Sequence, residues 1–276
     1  MSPARLLARG EGFEGRHYVC TAGPRDRPFE EAHAATCVAL VLRGSFHYRS
    51  QSGRAALVPG AMMLGNPGQT YECSHEHSTG DHCLSFHFTA ALLENVAREL
   101  PRAARRTRLG RLDLPAHPQS AALVARGRVA AAAPAEVSLE ELAYDVVALA
   151  LTAESAPSAA APSATDAKRA ALAALYLDAH AADDVPLAAL AAQVQLSPFH
   201  LLRTFRRVLG VTPHQYLIGA RVARAAELLL ASEQGVTDVA YAAGFGDLSH
   251  FIRSFRGAAG RSPRAFRRAH RGARAS

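Results

Sequence analysis

The sequence predicts an α+β multidomain fold, with an N-terminal antiparallel β-barrel that carries helices and a C-terminal all-α domain. Three observations lead to this prediction. Short apolar runs separated by turn signals fill most of the first 90 residues, helical apolar spacing dominates from residue 89 onward, and a Ser/Ala/Pro-rich segment interrupts the helical part. Short runs bounded by turns are typical of β-strands, whereas a 3.6-residue period is typical of amphipathic helices.

The β part is predicted from residues 37–42, 45–49, 56–58 and 83–88, within a barrel or sandwich covering about residues 12–89. Leu84, Phe86 and Phe88 should share one face, because side chains alternate along a strand. Helices are predicted over 89–100, 119–132 and 137–154. The last is apolar on more than one face, so we expect it to contact both its own barrel and a second subunit of a homodimer.

The segment 155–166, SAPSAAAPSATD, contains ten Ser, Ala or Pro residues. It has too little apolar bulk to pack and too much proline for a stable helix, so it is predicted to be a linker. The chain is therefore divided into an N-terminal domain, residues 1–154, and a C-terminal domain, residues 167–276.

The basic residues are unevenly distributed. Residues 1–165 hold 16 basic and 16 acidic side chains, whereas residues 166–276 hold 15 and 8. Such an excess favours a polyanionic partner such as double-stranded DNA, although a solvated basic surface would have the same composition. No apolar run is long enough to cross a membrane, the N-terminus has no signal-peptide core, and the four cysteines form no CxxC pair. These features predict a cytoplasmic protein with free thiols.

An internal repeat organises the C-terminal domain. Residues 197–216, SPFHLLRTFRRVLGVTPHQY, align without a gap to residues 247–266, DLSHFIRSFRGAAGRSPRAF, at an offset of 50. Ser197 and Asp247 are expected to cap the two helices, which Gly210 and Gly260 should end. The apolar positions expected to face the core are Leu201, Phe205 and Val208 in the first copy and Phe251, Phe255 and Ala258 in the second.

A short helical pattern precedes each copy, at 187–194 and 237–243. This is the layout of two helix-turn-helix units, at about 185–208 and 236–257. A helix from about Pro213 to Ala231 joins them and should be roughly 28 Å long at about 1.5 Å per residue. A spacer of this length favours entry of two recognition helices into successive major grooves.

These blocks resemble the AraC/XylS family of transcription regulators, through LAAQVQLSPFHLLRTFRRVLGVTPHQYLIGARVARAAELL and VAYAAGFGDLSHFIRSFRGAAGRSPRAFRR. The resemblance implies a transcription activator that binds DNA, contacts RNA polymerase and responds to a small-molecule effector. Leu202 and Leu248 favour contact with a thymine methyl over hydrogen bonding. The positions implied to contact DNA are Phe199, His200, Leu202, Arg203, Arg206, Arg207, Leu248, Ser249, His250, Arg253 and Arg256. Of these, His200 and His250 are equally consistent with packing.

The N-terminal part resembles the cupin-like effector domain of the same family, through His33, the turn at 42–44 and VPGAMMLGNPGQTY at 58–71. In metal-binding cupins a histidine is common near the end of the last block, where this chain has Tyr71. A cupin enzyme fused to a DNA-binding domain is therefore disfavoured. DNA alkyl-transfer repair is also disfavoured because the chain has no close cysteine pair, so no catalytic residue is predicted.

The segment YECSHEHSTGDHC holds a dense group of cysteines and histidines. Thiolate and imidazole ligands suit zinc, and Cys73, His75, His77 and Cys83 form the candidate set. Two alternatives stay open. The residues can be barrel-interior or loop residues with ordinary hydrogen bonds, or Cys73 and Cys83 can form a redox pair. The corresponding alternative function is a metal- or redox-sensing regulator.

Overall fold

A computed structural model describes residues 4–75, 80–153 and 162–275 of the chain. The strands in these ranges are β1 (Arg5–Gly10), β2 (Phe13–Cys20), β3 (Phe29–Ala32), β4 (Thr36–Gly44), β5 (Phe46–Ser50), β6 (Gly53–Leu57), β7 (Met62–Gly65), β8 (Thr70–Ser74), β9 (Asp81–Phe88) and β10 (Asp113–Leu114). They pair antiparallel into a six-stranded sheet, β1-β2-β9-β4-β7-β10, and a four-stranded sheet, β3-β8-β5-β6. The runs predicted from residues 37–42, 45–49, 56–58 and 83–88 fall mainly in β4, β5, β6 and β9.

The prediction of a closed barrel was wrong, because the described strands form two separate sheets. In the larger sheet the outer strands are β1 and β10, and in the smaller sheet they are β3 and β6. β10 is two residues long, so it offers too short a ladder to continue the larger sheet into the smaller one. Alternating apolar residues indicate which face of a strand is buried but not which strand edge stays unpaired, so the sequence pattern did not distinguish a barrel from two sheets.

Both faces of the larger sheet are covered, and β4 shows this most clearly. Val38, Leu40 and Leu42 belong to a buried cluster with the neighbouring helices. Cys37, Ala39 and Val41 point the other way, into a cluster with the smaller sheet. The shared face predicted for Leu84, Phe86 and Phe88 is confirmed, because all three are buried in the first cluster.

Three helices follow the strands: α1 (Ala90–Glu99), α2 (Pro118–Ala132) and α3 (Leu139–Ala153). α3 is the helix that we expected to need two partners. It contacts α1, α2, β2 and β4 of its own chain, and seven of its side chains are buried there. Its own chain thus covers most of the apolar surface that suggested a second subunit, and the homodimer stays a prediction.

The C-terminal helices are α4 (Ala164–Ala179), α5 (Leu187–Gln193), α6 (Pro198–Leu209), α7 (Pro213–Ala231), α8 (Val236–Ala242), α9 (Leu248–Ala259) and α10 (Pro263–Ala275). α7 has the predicted bounds. α4 was not predicted, and it begins inside the proposed linker because Ser163 caps it by accepting a hydrogen bond from the Asp166 amide. Residues 155–161 of that linker lie outside the described residues, so the domain division stays a prediction.

The helical part packs directly against the larger sheet. α4 contacts β4 through small residues, and Ala170, Ala173 and Ala174 are buried. α2 contacts both α7 and α9. One apolar cluster therefore continues from the β-sheets into the helices that follow them. Among the described helices, none combines the length and apolarity that a membrane crossing requires.

Candidate functional site

The two repeat units have the same helix-turn-helix construction. In the first, α5 leads to α6, where the Ser197 side chain accepts a hydrogen bond from the His200 amide and Pro198 occupies the first helical position. In the second, α8 leads to α9, where the Asp247 carboxylate accepts from the His250 amide at 2.6 Å. Both helices end at a glycine with φ of 72°, a left-handed conformation that glycine adopts readily. The predicted caps and stops are confirmed.

The turns inside the two units are equivalent but use different residues. The Leu196 amide donates to the Ala191 carbonyl in the first unit, and the Phe245 amide donates to the Ala240 carbonyl in the second. The preceding residue is left-handed in both turns: Gly244 has φ of 96°, whereas Gln195 has φ of 55°. Since a side chain disfavours this conformation, Gln195 carries local backbone strain that the sequence did not reveal.

The buried faces of α6 and α9 are those predicted. Leu201, Phe205 and Val208 are buried in α6, and Phe251, Phe255 and Ala258 are buried in α9. Phe251 and Phe255 also pack ring against ring, with centroids 5.6 Å apart. These contacts fix the rotation of each helix about its axis and therefore determine which side chains face outward.

The outward faces combine apolar side chains with arginines. Phe199 is 76% exposed, and Leu202 and Ile252 are each 37% exposed. Arg203, Arg206, Arg253 and Arg256 are exposed and, within the described part of the chain, have no acidic side chain within ion-pair distance. A basic face without internal counter-charges is suited to bind an anionic surface.

Five further residues of the predicted contact set differ in their surroundings. Arg207 forms an ion pair with Asp166 on the first turn of α4, so it is engaged within the chain. His250 is half-buried and its ring meets Phe245 edge-on, with centroids 5.8 Å apart. Ser249 is exposed and Leu248 is half-buried. The contact of His250 with Phe245 matches the packing alternative for this residue, while His200 is exposed.

A cavity of about 130 Å³ lies between the two sheets. All four cysteines border it, together with polar side chains that form hydrogen bonds with one another. The Cys37 thiol lies 3.2 Å from the Ser85 hydroxyl, which lies 3.0 Å from His87 Nε2. The Tyr71 hydroxyl donates to Glu31 at 2.6 Å. The remaining lining residues are Tyr18, Val19, Cys20, His33, Ala39, Phe46, Met63, Cys73, His75, Asp81 and Cys83.

The predicted zinc set is only partly assembled here. Cys73, His75 and Cys83 all border the cavity, whereas His77 lies outside the described residues. The ligand atoms that come within 4.8 Å of one another belong to Cys20, His75 and Asp81. Sequence reasoning missed Cys20 and Asp81, because they become neighbours only through the pairing of β2 with β9.

Burial controls the ionisation of the groups around the cavity. It raises the pKa of the Cys37 thiol to about 11 and raises the pKa of Cys73 and Cys83 as well. Burial also lowers the pKa of His33 to about 4. At neutral pH the three thiols are therefore protonated and weak nucleophiles, which disfavours the proposed Cys73/Cys83 redox pair.

A buried charged network joins the β-sheets to the helical part. Arg128 on α2 donates to the Leu42 carbonyl at 3.0 and 2.7 Å and to the Tyr216 hydroxyl at 2.7 Å. Tyr216 on α7 donates to Asp178 on α4 at 2.7 Å, and Arg128 lies 3.3 Å from the same carboxylate. The network therefore connects the N-terminal sheet to the two helices that support α6.

Comparisons with known proteins match the C-terminal part of the chain. A family described as "Helix-turn-helix domain" matches residues 190–269. The HTH-type transcriptional activator RhaS of Escherichia coli O139:H28 is 42% identical over 97 residues, 35% of each chain. The match thus spans about a third of the length of this curated relative.

Solved structures match the same part. The DNA-binding domain of AdpA, determined in complex with a target DNA, is 32% identical over 39% of this chain and 97% of its own, with a TM-score of 0.37. The C-terminal domain of AraT, a response regulator from Geobacillus stearothermophilus, is 30% identical over 37% of this chain and 84% of its own, with a TM-score of 0.34. Through its C-terminal helix-turn-helix units, the chain is similar to regulators of the AraC/XylS family.

Proposed function

We propose that the protein is a sequence-specific transcription regulator that inserts α6 and α9 into successive major grooves of double-stranded DNA. The observation that carries this proposal is the pair of capped helices with arginine-bearing outer faces, joined by the 19-residue helix α7. At about 1.5 Å per residue α7 is roughly 28 Å long, close to the ~34 Å repeat of the DNA helix.

We assign roles to the exposed residues by their chemistry. Arg203 and Arg253 have the fork geometry that pairs with guanine, and Phe199 and Leu202 suit the methyl group of thymine. Arg206 and Arg256, nearer the ends of their helices, suit phosphates. Arg207 can contact a phosphate only after its ion pair with Asp166 is broken. Leu248, Ser249, His200 and His250 complete the proposed contact set.

The N-terminal part is proposed to be a cupin-like effector domain, residues 1–154, joined to the DNA-binding domain, residues 167–276, by a linker. Its two antiparallel sheets and the internal cavity support this assignment. We propose that a small molecule occupies the cavity and that the Arg128 network transmits occupancy to the DNA-binding helices. The hydroxyl of Tyr71 is bonded to Glu31, so we assign no cupin-type catalytic role to this position.

The relative RhaS is named a transcriptional activator, and we propose activation through contact with RNA polymerase for this chain as well. We propose that the working form is a homodimer of this chain in the cytoplasm. The four free cysteines are compatible with that compartment.

The test is selection of genomic DNA fragments by the purified chain at about physiological salt, followed by sequencing of the bound fragments. We expect two short motifs about 10 base pairs apart. Arg203→Ala should relax preference in one motif and Arg253→Ala in the other. Arg98→Ala, which removes a positive charge from an exposed position on α1, is the matched control and should leave the preference for both motifs unchanged. A single motif unaffected by either recognition-helix variant would refute the proposal.

A further inference from the structure

Three donor side chains meet where the two sheets approach each other at one side of the cavity. β2 ends at Cys20 and β9 begins at Asp81, and these two residues are register partners across the strands. His75 follows β8, which belongs to the other sheet. The Cys20 sulfur, a ring nitrogen of His75 and a carboxylate oxygen of Asp81 all lie within 4.8 Å of one another.

The carboxylate and the imidazole are held in place by buried contacts. His75 and Asp81 are each 7% exposed, and Nε2 of His75 lies 2.7 Å from Oδ2 of Asp81. The Cys83 thiol donates to the other carboxylate oxygen, Oδ1, at 3.1 Å. Asp81 is thus oriented by a neighbour outside the three-residue group, as metal ligands commonly are.

The donor set indicates the kind of ion. Thiolate, imidazole and carboxylate are the ligands that zinc uses, whereas magnesium and calcium prefer oxygen alone. Zinc bonds of about 2.0–2.3 Å place tetrahedral ligand atoms on the order of 3.5 Å apart. The separations here, from 2.7 Å up to a limit of 4.8 Å, bracket that value. The three ligand atoms therefore already lie near the spacing that a tetrahedral zinc site requires.

We propose that Cys20, His75 and Asp81 bind one zinc ion, with the fourth coordination position facing the cavity. The ion replaces the hydrogen bond between His75 and Asp81 and links the larger sheet, through Cys20 and Asp81, to the smaller sheet, through His75. This set shares only His75 with the set predicted from the sequence. Metal binding by these residues does not depend on the proposed DNA binding.

The experiment is a titration of the full chain, purified and stripped with a chelator, with Co²⁺ in a reductant that contains no thiol. We expect one Co²⁺ per chain, with the near-ultraviolet charge-transfer absorption of a thiolate ligand, and displacement of that absorption by Zn²⁺. Because bound metal stabilises only the folded form, Zn²⁺ should also raise the Tm.

The variants locate the ligands. Cys20→Ser should abolish the thiolate absorption. His75→Gln should weaken Co²⁺ binding by more than about tenfold, because loss of a direct ligand costs more than loss of a residue that only orients a ligand. Cys37→Ser is the matched control, since Cys37 borders the same cavity but bonds to Ser85, and it should leave the absorption intact. No metal uptake by the original chain would overturn the proposal. Retention of the thiolate absorption in a Cys20→Ser protein whose metal-free Tm is unchanged would also overturn it. So would loss of the absorption in Cys73→Ser when Cys20→Ser retains it.

Discussion

The guanidinium of Arg128 and the ring of Tyr216 form a buried contact between the β-sheet region and the DNA-binding helices. The guanidinium carbon lies 4.7 Å from the ring centroid, and Nη2 donates to the Tyr216 hydroxyl at 2.7 Å. Asp178 accepts from the same hydroxyl and balances the charge of Arg128. Each of the three polar side chains therefore contacts the other two, in a place where an unpaired charge would be costly.

Arg128→Met should destabilise the protein by roughly 3–5 kcal/mol, because it removes the buried cation that pairs with Asp178 and the donor to the Leu42 carbonyl. The Tyr216 hydroxyl and the more exposed Arg43 are then the remaining partners of Asp178. The measurement is the free energy of unfolding from urea titration. Arg126→Met is the matched control: Arg126 lies on the same helix and pairs with more exposed Asp145 and Glu141, so about 0–1 kcal/mol is expected. Equal losses in the two variants would contradict the assigned role of the network.

Gln195→Gly should stabilise the protein by up to about 1 kcal/mol, because glycine adopts the left-handed conformation without a steric penalty from a side chain. The greater conformational entropy of glycine in the unfolded chain offsets part of this gain. Gly244→Ala, at the equivalent turn, should destabilise by more than about 1 kcal/mol. An added Cβ would lie 2.6 Å from the Ala181 carbonyl oxygen, in addition to the backbone strain. Urea unfolding of both variants tests this pair. A loss of stability in Gln195→Gly, or no loss in Gly244→Ala, would show that the two turns are not equivalent.

Phe199→Ala should lower DNA affinity while changing the free energy of unfolding by less than about 0.5 kcal/mol, because the side chain is largely exposed. Binding to a selected site is measured by gel shift, alongside urea unfolding. Tyr144→Ala on α3 removes another exposed aromatic and serves as the control with unchanged DNA affinity. If Phe199→Ala binds DNA as tightly as the original chain, α6 does not face the groove through this residue.

His33 should make the protein less stable as the pH falls from about 6.5 to about 4. Burial lowers the pKa of folded His33 to about 4, so in this window the unfolded chain takes up a proton that the folded chain does not. Its ring nitrogen meets the Tyr48 hydroxyl at 2.9 Å, its ring stacks on Tyr71, and His87 adds positive charge nearby. The expected loss is on the order of 1–3 kcal/mol.

The check is urea unfolding at pH 7 and pH 5. His33→Gln keeps a polar group near Tyr48 but cannot titrate, so its stability should change less between the two pH values. An identical pH dependence in the variant and the original chain would assign the effect to other groups.

The sequence predicted the DNA-binding helices well because their signals are local. Caps, helix stops and the apolar spacing of Phe205 and Phe255 act within a few residues of one another, and the gap-free repeat supplied each signal twice. The bounds of α7 followed from Pro213 and the apolar run alone. Gln195 escaped notice because a strained turn residue leaves no compositional signal.

The N-terminal half could be predicted less fully because its arrangement depends on distant pairings. Cys20 and Asp81 are 61 positions apart in the chain and meet only through the register of β2 and β9. Arginine side chains are usually exposed, yet Arg128 is 5% exposed because three separate elements converge on it. Alternation identified strands but not sheet edges, which is why two sheets were predicted as one barrel.

The most direct test of the proposed function is the affinity of the chain for its selected DNA site when the spacing between the two motifs is changed. Because α7 is a continuous helix, insertion of five base pairs turns the second motif to the opposite side of the duplex, and affinity should fall to that of a site with one motif. Unchanged affinity after this insertion would contradict the claim that α6 and α9 bind successive grooves together.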